Sequence, residues 1–266
     1  MTDIYTTVTS AGRDDLEKLA KILELRATDA QQVAMRASYL SEIELHRGAR
    51  VLEVGCGTGP VSRALARLGA DCDVHGIDPS PYFLDEARRL SEGIANLHFQ
   101  QGDACHVPFG ADSVDVLVFH TTLCHVPSLD EALREAYRVL RSGGQLVIFD
   151  ADYASTTVAL AAADPLQACV TATVESIVHD PHLVPKLAPS VRNAGFFVRH
   201  FRSYGYHGVL DTDYMLTIVD RGADALAATG RIGTALADAL KAEARRRVEI
   251  GTFFGHLAYA SVVALR

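Results

Sequence analysis

The chain lacks closely paired cysteines, apolar runs long enough to span a membrane, and an excess of positive charge. Each of these absences argues against a class of protein. Its 5 cysteines include no C-x-x-C pair, which favours reduced thiols in a cytosolic protein over a disulfide framework. No apolar run approaches the length of a membrane span, and the start of the chain shows no basic stretch followed by an apolar one. The net charge of −8 argues against nucleic acid as the main partner, because phosphate binding needs a positive surface. We therefore expect a cytoplasmic protein that associates with neither membrane nor nucleic acid.

Strand and helix patterns alternate through the middle of the chain. Strand patterns fall near 50–54, 73–78, 96–100, 114–119 and 145–150. Helical patterns lie between them near 60–68, 81–92 and 129–140, and helix-capping signals precede the last two at Ser80 and Ser128. This alternation predicts an α/β protein with a doubly wound, mostly parallel, Rossmann-like sheet.

Helical patterns also flank this sheet region. Residues 1–46 are predicted to form an N-terminal helical cap containing two helices. After Asp150 the alternation stops, and a helix near 185–194 and strands near 196–204 and 253–265 are predicted among further helical stretches. We expect the stretches 154–185 and 211–249 to be helical insertions, which together with the N-terminal helices cover the carboxyl ends of the strands as a lid.

The stretch Arg50–Gly59 places a glycine turn directly after the first predicted strand. Gly55, Gly57 and Gly59 follow that strand, and Pro60 begins a helical pattern. Such a turn is expected to leave backbone N–H groups bare and to let a ligand approach the main chain closely. It does not match the dinucleotide fingerprint G-x-G-x-x-G, which needs glycine or alanine where Pro60 stands.

Acidic residues lie at the ends of the first three predicted strands. Glu53 directly precedes the turn, where a carboxyl group suits a cation such as an ammonium or a sulfonium. Asp78 is placed to accept from two ribose hydroxyls, while Asp103 and the Ala104 N–H suit the amine and a ring nitrogen of adenine. Adenosine with a cationic amino-acid tail is S-adenosylmethionine, which we therefore predict as the cofactor.

Five successive stretches together cover about residues 48–150, namely LEVGCGTG, GIDPS, GDA, DVLVFHTTLCHVP and RVLRSGGQLVIFD. They resemble the motifs of class I S-adenosylmethionine-dependent methyltransferases, and most of all those of the small-molecule enzymes of the ubiquinone/menaquinone C-methyltransferase type. The resemblance implies a seven-stranded sheet with an antiparallel last strand, in a domain over 47–266, and S-adenosylhomocysteine as a product. The cofactor contacts that it implies are Gly55, Cys56 and Gly57 for the methionine part, Asp78 for the ribose, Pro79, Asp103 and Ala104 for the adenine, and His120 and Thr121 beside the sulfonium.

His125, just past the fourth predicted strand, is the candidate catalytic residue. Methyl transfer needs an aligned acceptor in a dry pocket, and it needs a base only where the acceptor must lose a proton. Some members of the family place a histidine here that faces the acceptor. The alternative is a histidine that only packs the loop and hydrogen-bonds the backbone, and the sequence leaves both interpretations open.

Other residues near the predicted site also have two interpretations. His179 and His182 have an H-x-x-H spacing, but no third ligand clusters with them, which favours a loop over a metal site. Arg36 either reaches the cofactor carboxylate or is a solvated helix residue. Four tyrosines either line an aromatic acceptor pocket or pack in the core and rim, namely Tyr153, Tyr204, Tyr206 and Tyr214.

The function predicted from the sequence is methyl transfer to an O, N or C atom of a small hydrophobic or aromatic metabolite. The N/D-P-P-Y/F motif used on nucleic-acid bases is absent after the fourth strand, which supports a small-molecule acceptor. One alternative is a methyltransferase fold that holds S-adenosylmethionine without consuming it, for a cyclisation or rearrangement. Another is a binder of the cofactor without catalysis. The acceptor and the oligomeric state stay open, with a homodimer as one option.

Overall fold

The computed structural model describes Val8 and residues 11–266, and a seven-stranded sheet organises the fold of these residues. The strands are β1 Arg50–Val54, β2 Asp73–Asp78, β3 Leu97–Gln101, β4 Val114–His120, β5 Leu140–Thr157, β6 Phe197–His207 and β7 His256–Leu265. Their order is β3-β2-β1-β4-β5-β7-β6. β7 runs antiparallel to β5 and β6, and the remaining pairs are parallel. The predicted doubly wound sheet with an antiparallel last strand is confirmed.

The described residues form nine α-helices around this sheet. They are α1 Arg13–Thr28, α2 Ala30–Leu40, α3 Pro60–Leu68, α4 Pro81–Leu90, α5 Leu129–Val139, α6 Leu166–Ile177, α7 Leu183–Asn193, α8 Asp213–Ala228 and α9 Thr234–Glu249. The predicted caps are present, since the side chains of Ser80 and Ser128 accept hydrogen bonds from the N–H groups of Phe83 and Glu131. In the stretch of chain that the structure describes, none of these helices combines the length and the apolar character needed to cross a bilayer.

The position of β1 explains its apolar sequence. Val51, Leu52 and Val54 are almost fully buried, because β1 lies between β2 and β4 near the middle of the sheet. The strand order reverses between β1 and β4, so the connections that follow these two strands diverge and leave a crevice at their carboxyl ends. The glycine turn follows β1 and therefore opens into this crevice.

Some element boundaries differ from the sequence-based expectations. β5 continues past Asp150 to Thr157, because residues such as Ala151 and Asp152 stay paired with β7. The stretch 211–249 is two helices, α8 and α9, separated by residues 229–233. Strand pairing with a partner more than 100 residues away extends β5, and a local hydrophobic pattern cannot reveal it.

Candidate active site

A cavity of about 490 Å³ lies at the carboxyl ends of β1, β2, β3 and β4. Its wall is completed by one face each of α1, α6 and α8. With the exception of Arg36, the residues that the sequence analysis nominates for the cofactor or for catalysis all border it, namely Glu53, Gly55, Cys56, Gly57, Asp78, Pro79, Asp103, Ala104, His120, Thr121 and His125. Residues from four strand ends thus converge on one space.

The glycine turn is shaped by its contacts with neighbouring elements. Gly55, Gly57 and Gly59 all have positive φ angles, of 74°, 53° and 82°, which favour glycine. A Cβ at Gly55 would overlap the side chain of Thr122 after β4, and one at Gly57 would lie 3.0 Å from Leu23 of α1. The turn can therefore accommodate only glycine at these close approaches.

Most N–H groups of the turn are hydrogen-bonded within the protein, contrary to the sequence-based expectation of bare donors. The N–H groups of Gly55 and Cys56 both donate to the carbonyl of Ile77, at 2.8 and 2.9 Å. The N–H of Gly57 donates to Oδ2 of Asp78 at 2.8 Å. Because β2 ends beside the turn, these N–H groups donate to acceptors within the protein. The main chain of the turn instead forms part of the cavity wall, where a ligand can approach it closely.

Asp78 is a buried carboxyl group held by the backbone. Its Oδ2 accepts from Gly57, and its Oδ1 accepts from the N–H of Ser80 at 2.9 Å. Burial raises the pKa of Asp78 to about 6, and these two backbone hydrogen bonds limit the rise. Each carboxylate oxygen has a second lone pair, so the group retains capacity to accept hydrogen bonds from a ligand's hydroxyls.

Glu53 is buried more deeply and is the more strongly perturbed acid. The hydroxyl of Ser62 donates to its Oε2. Burial raises the pKa of Glu53 to about 8, against the opposing effect of the Ser62 hydrogen bonds. The neutral acid therefore predominates at pH 7, and a cation bound beside Glu53 would favour its ionised form.

Asp103 and Ala104 follow β3 at the outer side of the cavity. Oδ1 of Asp103 accepts from the N–H groups of Cys105 and His106 at 2.7 and 3.0 Å, which fixes the carboxylate in a tight turn. Asp103 is exposed, whereas Ala104 is buried. This orientation leaves Oδ2 of Asp103 to accept from an amine at the cavity edge.

His120 and Thr121 form the cavity wall at the end of β4. Nδ1 of His120 lies 2.7 Å from the Tyr39 hydroxyl, and its ring stacks on Phe149 with centroids 5.0 Å apart. Burial, together with the charges of Arg26 and Arg36, lowers the pKa of His120 well below its usual range, so the ring is neutral. Thr121 has a φ of 50°, an uncommon value for a residue other than glycine and a form of strain typical of functional sites.

The helix α1 is fastened over the glycine turn by a polar cluster that the sequence analysis misses. Glu24 accepts a 2.6 Å hydrogen bond from the Thr58 hydroxyl and, through both oxygens, bonds of 3.0 and 2.8 Å from Arg63. Arg63 also donates to the Thr58 carbonyl at 2.7 Å. In sequence, Glu24 resembles any charged residue of an amphipathic helix, so no local pattern reveals this role.

The cation from the N-terminal helices that borders the cavity is Arg26, not Arg36. Arg26 donates to Oγ1 of Thr121 at 2.7 Å. Arg36 instead donates to the carbonyl of Ala27 at the junction of α1 and α2 and does not border the cavity. The suggestion that Arg36 contacts the cofactor carboxylate is therefore wrong, because its side chain is used to close this junction.

His125 borders the cavity in front of a buried carboxyl group. It ends a 3₁₀ turn, Leu123–His125, that follows β4. Behind it, Asp150 of β5 is fully buried and accepts from the N–H groups of Cys124 and Ala151 at 3.3 and 2.9 Å. Burial raises the pKa of Asp150, and the charge of His125 opposes that rise, so the two groups interact electrostatically. Asp150 closes the fifth motif of the sequence, which is the signal that could have nominated it.

The four tyrosines divide into two groups. Tyr153 and Tyr214 border the cavity. Tyr206 instead donates to Asp29 at 2.8 Å, and the Tyr204 hydroxyl lies 3.1 Å from that of Ser261. Tyr204 and Tyr206 are therefore packing residues, because β6 carries them toward α2 and β7.

His179 and His182 lie in the connection between α6 and α7. Among the described residues, no group of three or more His, Cys, Asp and Glu side chains is arranged to hold a metal ion. The Nζ of Lys186 donates to both oxygens of the neighbouring Asp180, at 2.8 and 2.6 Å. The charge of Asp180 in this connection is thereby compensated by a lysine of α7.

Comparison with known proteins identifies the class that this fold and site represent. Residues 52–148 match a family model described as a methyltransferase domain. Methyltransferase GfsG of Streptomyces halstedii is 34% identical, over 54% of this chain and 53% of that protein. The 2-phytyl-1,4-naphtoquinone methyltransferase of Thermosynechococcus vestitus is 35% identical, over 43% of this chain and 52% of that protein. The chain thus spans about half the length of the curated relatives it matches.

A solved structure extends the likeness to most of the chain. The crystal structure of the 4+2 cyclase SpnF has a TM-score of 0.59 and 23% sequence identity, and the match covers 88% of this chain and 81% of that one. The fold is the Rossmann-like fold of class I methyltransferases. Residues 52–148 are a methyltransferase domain of the S-adenosylmethionine-dependent class, and S-adenosylmethionine is its cofactor.

The residues of the cavity fit this cofactor chemically. Glu53 and Asp78 are two buried acids beside a glycine turn, and they are able to accept from an ammonium group and from ribose hydroxyls. The neutral His120 adds no positive charge next to a sulfonium. No charge in this set opposes a cationic ligand at the end of β1.

Proposed function

We propose that this protein transfers the methyl group of S-adenosylmethionine to a small, largely hydrophobic acceptor. The observation that carries the proposal is the continuity of the cavity, which runs from the strand ends to an apolar wall on α6 and α8. That wall includes Val174, Ile177 and Ile218, with Tyr153 and Tyr214 beside it. A volume of about 490 Å³ is typical of small-molecule sites and too confined for a folded macromolecule.

The proposed roles of the strand-end residues are the chemical roles of the acids, together with the contacts that the resemblance to class I methyltransferases implies. Glu53 binds the ammonium group and Asp78 the ribose hydroxyls, while Asp103 and Ala104 bind the adenine edge, with Pro79 beside it. Gly55, Cys56 and Gly57 contact the methionine part, and His120 and Thr121 border the sulfonium. The bound cofactor supplies a methyl group on a good leaving group, so the protein's task is to orient the acceptor and exclude water. In this proposal α1, α6 and α8 act as the lid that excludes it.

His125 is the proposed base for an acceptor that must lose a proton. The imidazole takes that proton, and the buried Asp150 stabilises the imidazolium that forms. One relative is named as a quinone methyltransferase, and this supports a ring-bearing acceptor that loses a proton from carbon or oxygen. The attacking atom of the acceptor is otherwise open.

Product analysis tests the proposal against its alternatives. The purified chain is titrated with S-adenosylhomocysteine by calorimetry and then incubated with S-adenosylmethionine and a panel of phenols, hydroquinones and hydrophobic acids. Methyl transfer predicts one S-adenosylhomocysteine formed per methylated product. Conversion of an added compound without cofactor consumption would support a cyclisation or rearrangement, for which the cyclase SpnF is a fold precedent. Binding of S-adenosylhomocysteine without turnover would support a non-catalytic binder.

Substitution of His125 tests the proposed base. His125→Asn should lower kcat about 100- to 10,000-fold on an acceptor that loses a proton, because general-base catalysis contributes that range. Asp150→Asn should lower kcat less and move the rate-against-pH midpoint downward, since the imidazolium loses a stabilising charge. Affinity for S-adenosylhomocysteine should stay unchanged in both. The substitution His179→Asn, at an exposed histidine, is the control. Full turnover by His125→Asn would show that His125 is not the base.

A further inference from the structure

Arg221 places a cation in the otherwise neutral α6–α8 wall of the cavity. On α8, the residues that border the cavity are Tyr214, Thr217, Ile218 and Arg221. Their spacing of three, four and seven positions puts them on one face of the helix. Arg221 is partly buried and is the charged member of this face.

The acidic residues close to Arg221 in the two helices form ion pairs with other residues. Asp220 accepts from two nitrogens of Arg245 of α9, at 2.8 and 2.7 Å. Asp224 pairs with Lys241, also of α9, and Glu175 of α6 pairs with Arg231 at 3.0 Å, as separate ion pairs. Across Val8 and residues 11–266, no carboxylate lies within ion-pairing distance of the Arg221 guanidinium.

Close packing between α6 and α8 holds this wall in position. A Cβ at Gly222 would overlap the carbonyl of Cys169, so the two helix backbones meet beside Arg221. The Thr173 hydroxyl of α6 donates to the carbonyl of Ile218 at 2.5 Å, one turn before Arg221. The side chain of Arg221 therefore extends from a backbone whose position is fixed by the packing of the two helices.

The surroundings of this cation are largely apolar. Val174, Ile177 and Ile218 give the wall a low polarity, and a contact between opposite charges is stronger where water is partly excluded. The other arginine that borders the cavity near the strands, Arg26, is already bonded to Thr121 at 2.7 Å. The planar guanidinium of arginine matches carboxylate, sulfonate and phosphate oxygens with two parallel hydrogen bonds.

We infer that Arg221 binds an anionic group of the acceptor, so that the substrates are hydrophobic acids with one oxyanion group and an apolar ring or chain. The apolar body lies against α6 and α8, and the oxyanion pairs with Arg221. The inference rests on the proposed function, because it names the class of acceptor for the same cavity. It makes Arg221 a determinant of specificity, without a part in the proton transfer.

A matched pair of fluorescent probes tests the inference. Anilinonaphthalene sulfonate and N-phenylnaphthylamine share an aromatic body, and only the first carries an anion. Both are titrated into the full chain saturated with S-adenosylhomocysteine. Arg221→Met should weaken binding of the sulfonate about 10- to 100-fold, the range of a hydrogen-bonded charge pair, and leave the neutral probe within about twofold. Arg221→Lys should recover part of the loss, because it restores the charge without the planar fork.

Controls separate this inference from the proposed function. Arg231→Met removes an exposed cation that pairs with Glu175 outside the cavity, and it should leave both probes unchanged. Equal sulfonate binding by the natural chain and by Arg221→Met, or no sulfonate binding by the natural chain, overturns the inference. Loss of S-adenosylhomocysteine affinity in Arg221→Met with unchanged sulfonate binding also overturns it, since Arg221 would then belong to the cofactor. Failure of the proposed function appears separately, as absence of S-adenosylhomocysteine binding to the natural chain.

Discussion

At the scale of single residues, burial gives the acids at the strand ends properties that their sequence positions do not suggest. Glu53 and Asp78 both have raised pKa values, of about 8 and about 6, because the sheet and the loops around it exclude water. Both acids accept two hydrogen bonds that oppose this rise, but the charge of Asp78 raises the pKa of Glu53 further. Glu53 is therefore the acid whose protonation differs most between the folded and the unfolded chain.

Glu53→Gln should stabilise the protein more at alkaline than at acidic pH. An unfolded glutamate ionises near its ordinary pKa of 4.5, whereas folded Glu53 keeps its proton until about pH 8. Between these values the folded state binds more protons, so the free energy of unfolding falls as pH rises. The substitution removes this dependence, and its stabilisation should be about 2 to 4 kcal/mol greater at about pH 8.5 than at about pH 5.

Chemical denaturation of the two proteins at both pH values measures this difference. Glu17→Gln, on the exposed surface of α1, is the control for a general loss of negative charge and should show little dependence. Equal effects of Glu53→Gln at the two pH values would contradict the assignment of a raised pKa.

At the scale of elements, the contact of α1 with the glycine turn depends on one carboxylate. Glu24→Gln removes the negative charge of the carboxylate that accepts hydrogen bonds from both Arg63 and Thr58, so α1 should separate more readily from the turn. We expect affinity for S-adenosylhomocysteine to fall about 3- to 30-fold, since a charged hydrogen bond contributes roughly 1.5 to 3 kcal/mol and some of it remains with glutamine. Calorimetry measures the loss. Glu17→Gln on the same helix should leave the affinity unchanged, and an equal fall in both variants would argue against a specific fastening.

The packing of α6 on α8 depends on the absence of a side chain at Gly222. Gly222→Ala introduces a Cβ where the carbonyl of Cys169 lies, so the helices must move apart. Overpacking of this kind should lower the free energy of unfolding by about 1 to 3 kcal/mol, despite the better helix propensity of alanine. Gly110→Ala, at a loop glycine with open space around it, is the control in the same denaturation experiment. A neutral Gly222→Ala would show that the two helix backbones are not in contact.

At the scale of the whole molecule, the sequence reveals the sheet, the strand-end residues and the helical stretches expected to cover them, but not the contacts that hold those helices in place. Glu53, Asp78 and Asp103 follow apolar runs with glycine turns, and parallel strands bring their ends to one edge, so local pattern and topology are sufficient. The fastening of α1 joins Glu24 to Arg63 across 39 positions, and Arg221 reaches the cavity through α8. Such contacts depend on tertiary packing between segments that carry no motif. Asp150 is intermediate, because a motif contains it but only the fold places it behind His125.

The proposed lid predicts that cofactor binding changes local rather than global stability. S-adenosylhomocysteine should slow amide hydrogen exchange about 2- to 10-fold in α1 and at the ends of β1 and β2, because those residues border the cavity. The helix α9 packs on α8 and contributes no residue to the cavity, so its exchange should change little.

Exchange mass spectrometry with and without S-adenosylhomocysteine makes this comparison, and Glu24→Gln refines it. In that variant the strand ends should still gain protection while α1 gains less, because the contact from the turn to the helix is weakened. Equal slowing in α1, α9 and the sheet would instead mean that the ligand only stabilises the whole folded state by mass action. The proposal of a lid formed by α1 would then fail, although cofactor binding at the strand ends would still hold.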